Sequence, residues 1–514
     1  MHVTPRLAAL VRRELIRSER AIFAGDDGFR FRHLLIRDAA YDALAKTTRA
    51  ELHGRFADWL DEHGDALVER DEIVGYHLEQ AYEYLRELGP PDQHARSIAV
   101  RAESHLASAG KRAFDGFDVG AAANLLARAV ALHDPADPVV SLRLNLSGAL
   151  YGSGRLTEAV ASATDASELA AAAGDRLGSL RAQLLAARQT LWSQGSGAAA
   201  LLELMKNARP AFERAGDEFG MAEVCRVEGE LEGMHGHLSV AAAAFEEAAD
   251  YARRAGDRRQ ELENLAWAAM ARATGLDPVP EALERLDRQP PEVERHHTFV
   301  GALRAMLEAM LGRFGEARGT LADADQRSNE LGTNMGGWRV FSWAVEKLAG
   351  DDAAAEREAR RGCDGLERIG EASIRSTLTY CLADSLCALG RFDEAEQTLA
   401  LADELSMPDD IDNEILMRRV RGRLLARRGE HERAEKFARD AVAIAEQTDK
   451  ICDHAEALTD LAEVLELARH SEDATAQLQK ALALYKQKGN IVMIERTNAR
   501  LTELTEPSTS SRST

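Results

Sequence analysis

Aromatic residues and proline are scarce in this chain. Only 5% of its 514 residues are Phe, Trp or Tyr and only 12 are Pro, whereas 45% are hydrophobic and 29% are charged. A composition with few helix breakers and much Ala and Leu is typical of long helices that pack against one another. We therefore predict an all-α fold.

Positive charge is also in short supply, because the formal net charge is -22. A protein that wraps nucleic acid or coats an anionic membrane needs a concentrated positive field. No apolar run reaches the roughly 18 residues of a membrane span, and charge interrupts the N-terminal MHVTPRLAALVRREL too early for a signal peptide. The expected partners therefore include neither a membrane nor nucleic acid.

Cysteine and histidine do not cluster in any pattern that holds a metal ion. The five cysteines are Cys225, Cys363, Cys381, Cys387 and Cys452. They form no CxxC pair and no ligand spacing with histidine, and no HExxH motif is present. We expect no metal and no cofactor, and we interpret the cysteines as buried thiols in a reducing compartment, the cytoplasm.

The motifs of common enzymes are missing too. No GxxxxGK[ST] phosphate-binding loop occurs, and the nearest stretch, AGKRAFDG at Ala109, lacks both the upstream Gly and the Ser or Thr. No Ser/His/Asp or Cys/His arrangement is evident from spacing. Carboxylates occur in mixed-sign patterns such as ERAEKFARD, which are typical of solvated helix faces. We expect this polypeptide not to be an enzyme.

Repetition is what the chain has in abundance. A turn recurs along most of its length, starting at Gly116, Gly154, Gly195, Gly236, Gly275, Gly312, Gly350, Gly390, Gly429 and Arg469. Successive starts lie 37 to 41 residues apart, and an Ala stands five residues after each start except the fifth, where Pro280 stands. A second break follows about twenty residues after most turns. Gly ends one helix and Ala lets the next approach closely, so the pattern predicts stacked helical hairpins.

Small residues before the turn and further alanines after it complete the pattern, among them Ala166, Ala248 and Ala324. This combination resembles the tetratricopeptide repeat in a longer spacing of about forty residues. The resemblance covers roughly residues 98–504 and implies a right-handed superhelix of about ten units. We place this solenoid at 91–504, before a disordered tail at 505–514. The fifth linker, GLDPVPEALERLDRQPPEVE, has four prolines and is expected to interrupt the stack.

Residues 1–90 have a different pattern. Thr4 to Arg17 has apolar residues at helical spacing and is predicted to form a helix. AIFAGDDGFRFRH places two short alternating segments around GDDG, which indicates a β-hairpin. Three helical segments follow in LIRDAAYDALAK, RAELHGRFADWLDEHG and DEIVGYHLEQAYEYLREL. This order predicts a small winged-helix-like module with one β-hairpin.

The stretches FRFRHLLIRDAAYDAL, RAELHGRFADWL and DEIVGYHLEQAYEYLREL are similar to a connector in bacterial signal-transduction ATPases with numerous domains. There it joins a nucleotide-switch module to a tetratricopeptide sensor, and relatives carry a class III nucleotide cyclase domain or a LuxR-type helix-turn-helix. The resemblance implies a regulatory arm coupled in cis or in trans to an ATPase or cyclase module. Because that module is missing, a truncated reading frame, a start codon assigned too late and a standalone descendant all stay open.

Arg37 and Asp38 lie in the matching stretch and are the candidate contact that senses nucleotide state. The alternative is an exposed charge pair at a helix start, stabilising by a few tenths of a kcal/mol. In the solenoid, resemblance to tetratricopeptide repeats selects a second group of candidates, at positions that line the concave groove. They are Tyr151, Gln189, Trp192, Arg226, Glu230, Met306, Val340, Lys347, Tyr380, Asp384, Arg419 and Arg423.

Arg419 and Arg423 are one helical turn apart, so their guanidinium groups could share one carboxylate of an acidic peptide. Solvated charge is the alternative. The main hypothesis is a scaffold that recognises a protein or peptide in its groove, as the regulatory sensor arm of a nucleotide-dependent signalling or transcription-regulating system. A second is the C-terminal part of a multidomain ATPase or adenylate/guanylate cyclase. A third is a transcription regulator that contacts DNA through VRRELIRSER, against which the overall acidity argues.

Overall fold

A computed structural model describes residues 4–19, 28–64, 67–133, 139–331, 336–408 and 410–505. These residues form 26 helices and one two-stranded antiparallel sheet. The chain divides into two compact units, the first made of Met1–Lys111 with Asn124–Asp137 and the second of Arg112–Ala123 with Pro138–Thr514. The predicted boundary after residue 90 stays a prediction, and residues 506–514 of the predicted tail lie outside the described residues.

The first unit contains a hairpin followed by helices. Its elements are α1 (Thr4–Arg12), β1 (Ile16–Glu19), β2 (Gly28–Phe31), α2 (Leu34–Asp42), α3 (Lys46–His63), α4 (Arg70–Leu88) and most of α5 (Gln93–Asp115) and α6 (Val119–Leu132). In the sheet, Ile16 lies opposite Phe31 and Glu19 opposite Gly28. The predicted β-hairpin is therefore confirmed. Its core packs Leu60 of α3 against Leu78 of α4 and Ala102 of α5.

The prediction of a single helix from Thr4 to Arg17 is wrong. The helix ends at Arg12, Glu14 takes a left-handed conformation with φ 58°, and the Leu15 amide donates to the Leu10 carbonyl at 3.1 Å. Ile16 then enters the sheet and is buried. Pairing with β2 thus outweighs helical periodicity. The first strand, Ile16–Glu19, lies before the predicted hairpin segment AIFAGDDGFRFRH. Residues 20–27 lie outside the described residues.

The second unit is a run of helical hairpins. After the turn at residues 112–123 come α7 (Val140–Gly152), α8 (Leu156–Ala172), α9 (Arg176–Gln194), α10 (Ala198–Ala215), α11 (Glu218–Met234), α12 (Leu238–Arg254), α13 (Arg258–Thr274), α14 (Val279–Arg288), α15 (Pro291–His296), α16 (Thr298–Met310), α17 (Phe314–Leu331), α18 (Arg339–Ala349), α19 (Asp352–Ile369), α20 (Ser373–Ala388), α21 (Phe392–Leu405), α22 (Ile411–Arg427), α23 (His431–Ala445), α24 (Ile451–Leu467), α25 (Ser471–Lys488) and α26 (Ile491–Thr505). Each predicted turn lies between two helices, which confirms two helices per repeat.

The repeated Ala packs the two helices of a hairpin together. At this position Ala159, Ala241, Ala317, Ala355, Ala395, Ala434 and Ala474 are fully buried. The hairpin that turns at Gly195 differs, because α10 begins one residue later than its counterparts and Leu201 takes the buried place while Ala200 is exposed. A small side chain at a helix crossing lets the backbones approach, so this spacing fixes the hairpin geometry.

The proline-rich fifth linker shortens its hairpin. Pro280 lies in the first turn of α14, which has only 10 residues, and Pro291 begins the additional six-residue helix α15. Proline is tolerated in a first turn because its missing amide has no partner there. The predicted interruption is therefore built from two short helices.

Candidate functional site

The first helices of successive hairpins carry charged side chains that bind one another across helix boundaries. Arg226 of α11 donates from Nε to Glu230 Oε1 at 3.0 Å and from its terminal nitrogen to Glu263 Oε1 of α13 at 2.8 Å. On the other side, Trp192 Nε1 and Arg188 of α9 donate to the two oxygens of Glu230, at 2.8 and 3.3 Å. We call this row the first ladder; it consists of Arg188, Trp192, Arg226, Glu230, Arg259 and Glu263.

A second ladder joins α18, α20, α22 and α24. Lys347 Nζ lies 3.0 Å from Asp384 Oδ2, and Arg423 donates to the other oxygen of Asp384. Arg419 Nε donates to Asp460 Oδ2 at 2.8 Å, while Arg423 lies 3.6 Å from Asp460 Oδ1. The second ladder consists of Lys347, Asp384, Arg419, Arg423, Glu456 and Asp460.

Arg419 and Arg423 do share one carboxylate, but it belongs to Asp460 of the same chain. The arginines are therefore neither solvated nor free for a peptide in this arrangement. Whether they contact a ligand stays a prediction. Packing of α24 against α22 places Asp460 within reach of both arginines.

Five of the twelve ladder residues are buried, namely Arg226, Glu230, Asp384, Arg419 and Asp460, and the other seven are half-buried. Asp384 is 3% exposed, Arg226 4% and Glu230 5%. Burial alone would raise the pKa of Asp384, but Arg423, Lys347 and Arg419 outweigh it and hold that pKa at about 2. Burial would likewise raise the pKa of Glu263, and Arg226 and Arg259 hold it well below its usual range. Both carboxylates are thus ionised and neutralised by neighbouring cations.

The remaining predicted groove residues lie outside the two ladders. The Tyr380 hydroxyl donates to Asp403 Oδ1 of α21 at 2.8 Å, which directs the ring between the helices of its own hairpin. Burial raises the pKa of Tyr151 of α7, on which the charges of Arg188 and Glu371 also act. Gln189 accepts a hydrogen bond from the Ser147 hydroxyl, Met306 is buried, and Val340 is half-buried.

Part of the ladder face stays open to solvent at the beginning of the first helices. A depression of about 330 Å³ lies there between α7 and α9, lined by Val140, Ser141, Leu144 and Arg181. Arg181 donates to Asp217 Oδ2 at 2.9 Å, and its guanidinium carbon lies 5.8 Å from the ring centre of Phe219, a side chain that is 42% exposed. We call Ser141, Leu144, Arg181 and Phe219 the mouth. It is the accessible continuation of the first ladder.

The sequence missed the mouth and five ladder residues, which are Arg188, Arg259, Glu263, Glu456 and Asp460. Phe219, Arg226 and Glu230 are seven and then four residues apart, so helical periodicity alone could have extended the face to Phe219. Glu263 was missed for another reason. Gly275 has φ -83° and α14 begins four residues after it, so the register counted from that turn is displaced.

The first unit places Arg37 and Asp38 on α2, where they bind each other. Arg37 donates to Asp38 Oδ1 from Nε at 2.9 Å and from its terminal nitrogen at 2.7 Å, and both side chains are exposed. All nine residues of α2 are described and none of them is buried. Leu34 and Leu35 are 68% and 81% exposed, so the helix presents apolar side chains beside the charge pair.

Within the part of the chain that the structure describes, no group of three or more His, Cys, Asp or Glu side chains is arranged to hold a metal ion. Nor does any helix of this part combine the length and hydropathy that crossing a membrane requires. The five cysteines are free thiols.

No family model matches the chain, and no curated protein matches it. Among solved structures, it is similar to a Rap protein complexed with competence and sporulation factor, with a TM-score of 0.52, 13% identity and coverage of 71% of this chain and 99% of that one. It is also similar to the APC/C hetero-tetramer Cut9-Hcn1, with a TM-score of 0.48, 11% identity and coverage of 92% of this chain and 94% of that one. Yeast Tom70 is similar with a TM-score of 0.35, 11% identity and coverage of 90% of this chain and 98% of that one. The likeness to the Rap protein supports a tetratricopeptide-type helical-repeat fold.

Proposed function

We propose that this chain is a non-enzymatic recognition scaffold that binds a protein or peptide along its ladder face. The observation that carries the proposal is the mouth, where Leu144 and Arg181 line one depression and Phe219 of the next hairpin lies beside Arg181. Solenoids recognise partners through such faces, built from equivalent positions of successive repeats. An exposed aromatic ring beside an arginine also has the composition of a binding hot spot.

The chemistry of the face favours a polar peptide with an apolar anchor. Leu144 and Phe219 offer apolar contact, while Arg181, through its exposed edge, can bind a carboxylate. Deeper along the face lie Trp192, which belongs to the first ladder, and Tyr151, on which the charge of Arg188 acts. The Rap protein of similar fold was solved with competence and sporulation factor, which supports a ligand-holding role for such a solenoid.

Accessible mouth residues give a test that does not depend on the buried ladders. We expect peptides selected on the purified protein from a phage-displayed random library to bind at least about tenfold more weakly to Arg181→Ala and Phe219→Ala variants. Arg253→Ala and Val240→Ala, which change exposed residues of the second helix α12, serve as controls and should leave affinity unchanged. If calorimetry shows that the selected peptides bind both mouth variants as tightly as the wild type, the ladder face is not the binding surface.

The finer role we propose is that of a regulatory sensor arm for a nucleotide-dependent ATPase or cyclase module, in the reducing cytoplasm. What supports it is α2, a helix without a buried side chain that presents Leu34 and Leu35 beside the Arg37–Asp38 pair. Exposed apolar side chains rimmed by charge are typical of a protein contact. Arg37 and Asp38 are then the contact through which nucleotide state is communicated.

A photo-cross-linking residue at Leu35 tests this contact in the protein's own cells. We expect cross-links to a nucleotide-binding protein from Leu35, weakened by Arg37→Ala, and none to that protein from the same residue placed at Val240, which is also exposed. Mass spectrometry identifies the product. If Leu35 cross-links only to proteins without a nucleotide site, the proposed signalling role is contradicted. The proposed binding at the ladder face does not depend on this result.

A further inference from the structure

Distant parts of the second unit are held together by a buried lysine. Lys488, at the end of α25, is fully buried, and its ammonium group donates to the carbonyl oxygens of Ala273, Gly275 and Asp277, each at 2.7 Å. These carbonyls lie in the last turn of α13 and just after it, where helix carbonyls have no intrahelical partner. Three acceptors around one nitrogen require all three protons of the ammonium group.

Equivalent contacts recur along the unit. The Asp449 amide donates to the Gly236 carbonyl at 2.9 Å, and the Ser239 amide donates to Asp449 Oδ2 at 2.8 Å. A Cβ at Gly154 would lie 3.5 Å from Ile369 Cβ, and one at Gly195 would lie 2.8 Å from Met407 Cγ. In every case the turn inside an early hairpin meets the end of a second helix far along the chain.

The partners in the hydrogen-bonded contacts are 210 to 215 residues apart. With repeats of 37 to 41 residues, that separation corresponds to about five hairpins. One superhelical turn therefore takes about five repeats, and each turn rests on the next. We call this row of contacts between successive turns the seam.

Helices that carry the two ladders also meet between successive turns, because α9 of the first ladder contacts α20 of the second. The mouth and part of each ladder are accessible and Trp192 is half-buried, whereas Arg226 and Asp384 are buried. A ligand cannot touch side chains that are 3% or 4% exposed without uncovering them. Binding of a peptide to these buried ladder residues would therefore be linked to separation of successive turns.

We infer that the seam is a closure that regulates the ladder face: a peptide docks at the mouth and reaches the ladders only when successive turns separate at the seam. This inference rests on the proposed binding function. Closure lowers the apparent affinity by the fraction of open molecules, so loosening the seam raises affinity and locking it lowers affinity. Both directions can be measured on the full chain.

A disulfide across the seam provides the lock. The 3.5 Å Cβ separation of the Gly154→Cys/Ile369→Cys pair fits disulfide geometry, although Gly154 has φ 80° and a side chain there is strained. The matched control is Gly233→Cys/Ala241→Cys, with a Cβ separation of 4.0 Å inside one hairpin. The probe is a library-selected peptide whose binding to the wild-type protein depends on both Arg181 and the buried Arg226.

Each peptide affinity is measured with the variant oxidised and then reduced. We expect the seam pair to bind at least about tenfold more weakly when oxidised, and the control pair to bind equally in both states. Equal binding by the oxidised and reduced seam pair overturns the inference while leaving the proposed function intact. If the library yields no peptide whose binding depends on Arg181, the proposed function is contradicted instead.

A variant that loosens the seam keeps the inference testable if the cysteine pair misfolds. Lys488→Met removes the three carbonyl contacts, and we expect the same peptide to bind several-fold more tightly to it. Lys486→Met, two residues earlier on the exposed side of α25, is the control. Weaker or unchanged binding by a folded Lys488→Met protein contradicts a closure at the seam.

Discussion

Replacing Lys488 with methionine is expected to lower the free energy of unfolding of the second unit by about 2–4 kcal/mol, because three buried carbonyl oxygens lose their donor. Methionine has a similar length and no charge to bury, so it removes the ammonium without creating a large cavity. The loss is measured by urea unfolding followed by circular dichroism at neutral pH.

The control for this change is the neighbouring lysine. Lys486→Met alters an exposed residue of the same helix and should shift stability by no more than about 0.5 kcal/mol. If the Lys488 and Lys486 variants unfold alike, then the contact between α25 and the end of α13 does not hold the unit together. A large loss confined to Lys488 supports the seam as a stabilising part of the fold.

Asp384→Asn is expected to cost about 3–5 kcal/mol, because it leaves Lys347 and Arg423 without their shared carboxylate inside the second ladder. Asparagine keeps the shape of the side chain, so the effect reports charge rather than packing. The exposed ion pair of Asp393 with Arg428 offers a matched control, and Asp393→Asn should change stability by at most about 1 kcal/mol. Equal effects of the two changes, compared by thermal or urea unfolding, would show that the ladder does not stabilise the protein.

The same carboxylate gives the ladder a defined pH dependence. Burial opposes ionisation of Asp384, but Arg423, Lys347 and Arg419 hold its pKa at about 2 in the folded protein, below the usual 3.8. A lowered folded-state pKa contributes stability above about pH 4, and this contribution, roughly 2 kcal/mol, is lost as pH falls through 2. The difference in stability between wild type and Asp384→Asn should therefore shrink over that range.

The hairpins could be predicted from the sequence because their determinants are local. A turn Gly and an Ala five residues later are sufficient to place a helix end and a close helix crossing, as at Gly236 and Ala241. The end of the first helix at Arg12 could not be predicted in this way. There the alternative is a strand whose partner, Phe31, lies beyond a loop, and local periodicity does not report such pairing.

The ladders were only half predictable. Arg226, Glu230, Arg419 and Arg423 were placed on one face by helical spacing, but most of their charge partners stand on the preceding or the following hairpin, 37 to 42 residues away. Periodicity fixes which side a residue faces, not which charge meets it there. For that reason the sequence suggested free arginines for a peptide, whereas the structure pairs them internally.

The seam left no trace in the sequence pattern. Lys488 looks like an ordinary charged residue near a helix end, and only a contact with Ala273, 215 residues away, gives it a buried role. Such contacts depend on the number of repeats in one superhelical turn. That number follows from small rotations between hairpins, which residue types at individual positions do not report.

Hydrogen exchange of the Asp449 amide in the free, full-length protein tests most directly whether the seam is closed. This amide lies between α23 and α24, and its acceptor, the Gly236 carbonyl, belongs to the preceding superhelical turn. A closed seam predicts exchange about a hundredfold or more slower than in an unstructured chain, and faster exchange in Lys488→Met. Exchange at the unstructured rate, with the flanking helices still protected, would contradict a solenoid whose turns close over the ladder face.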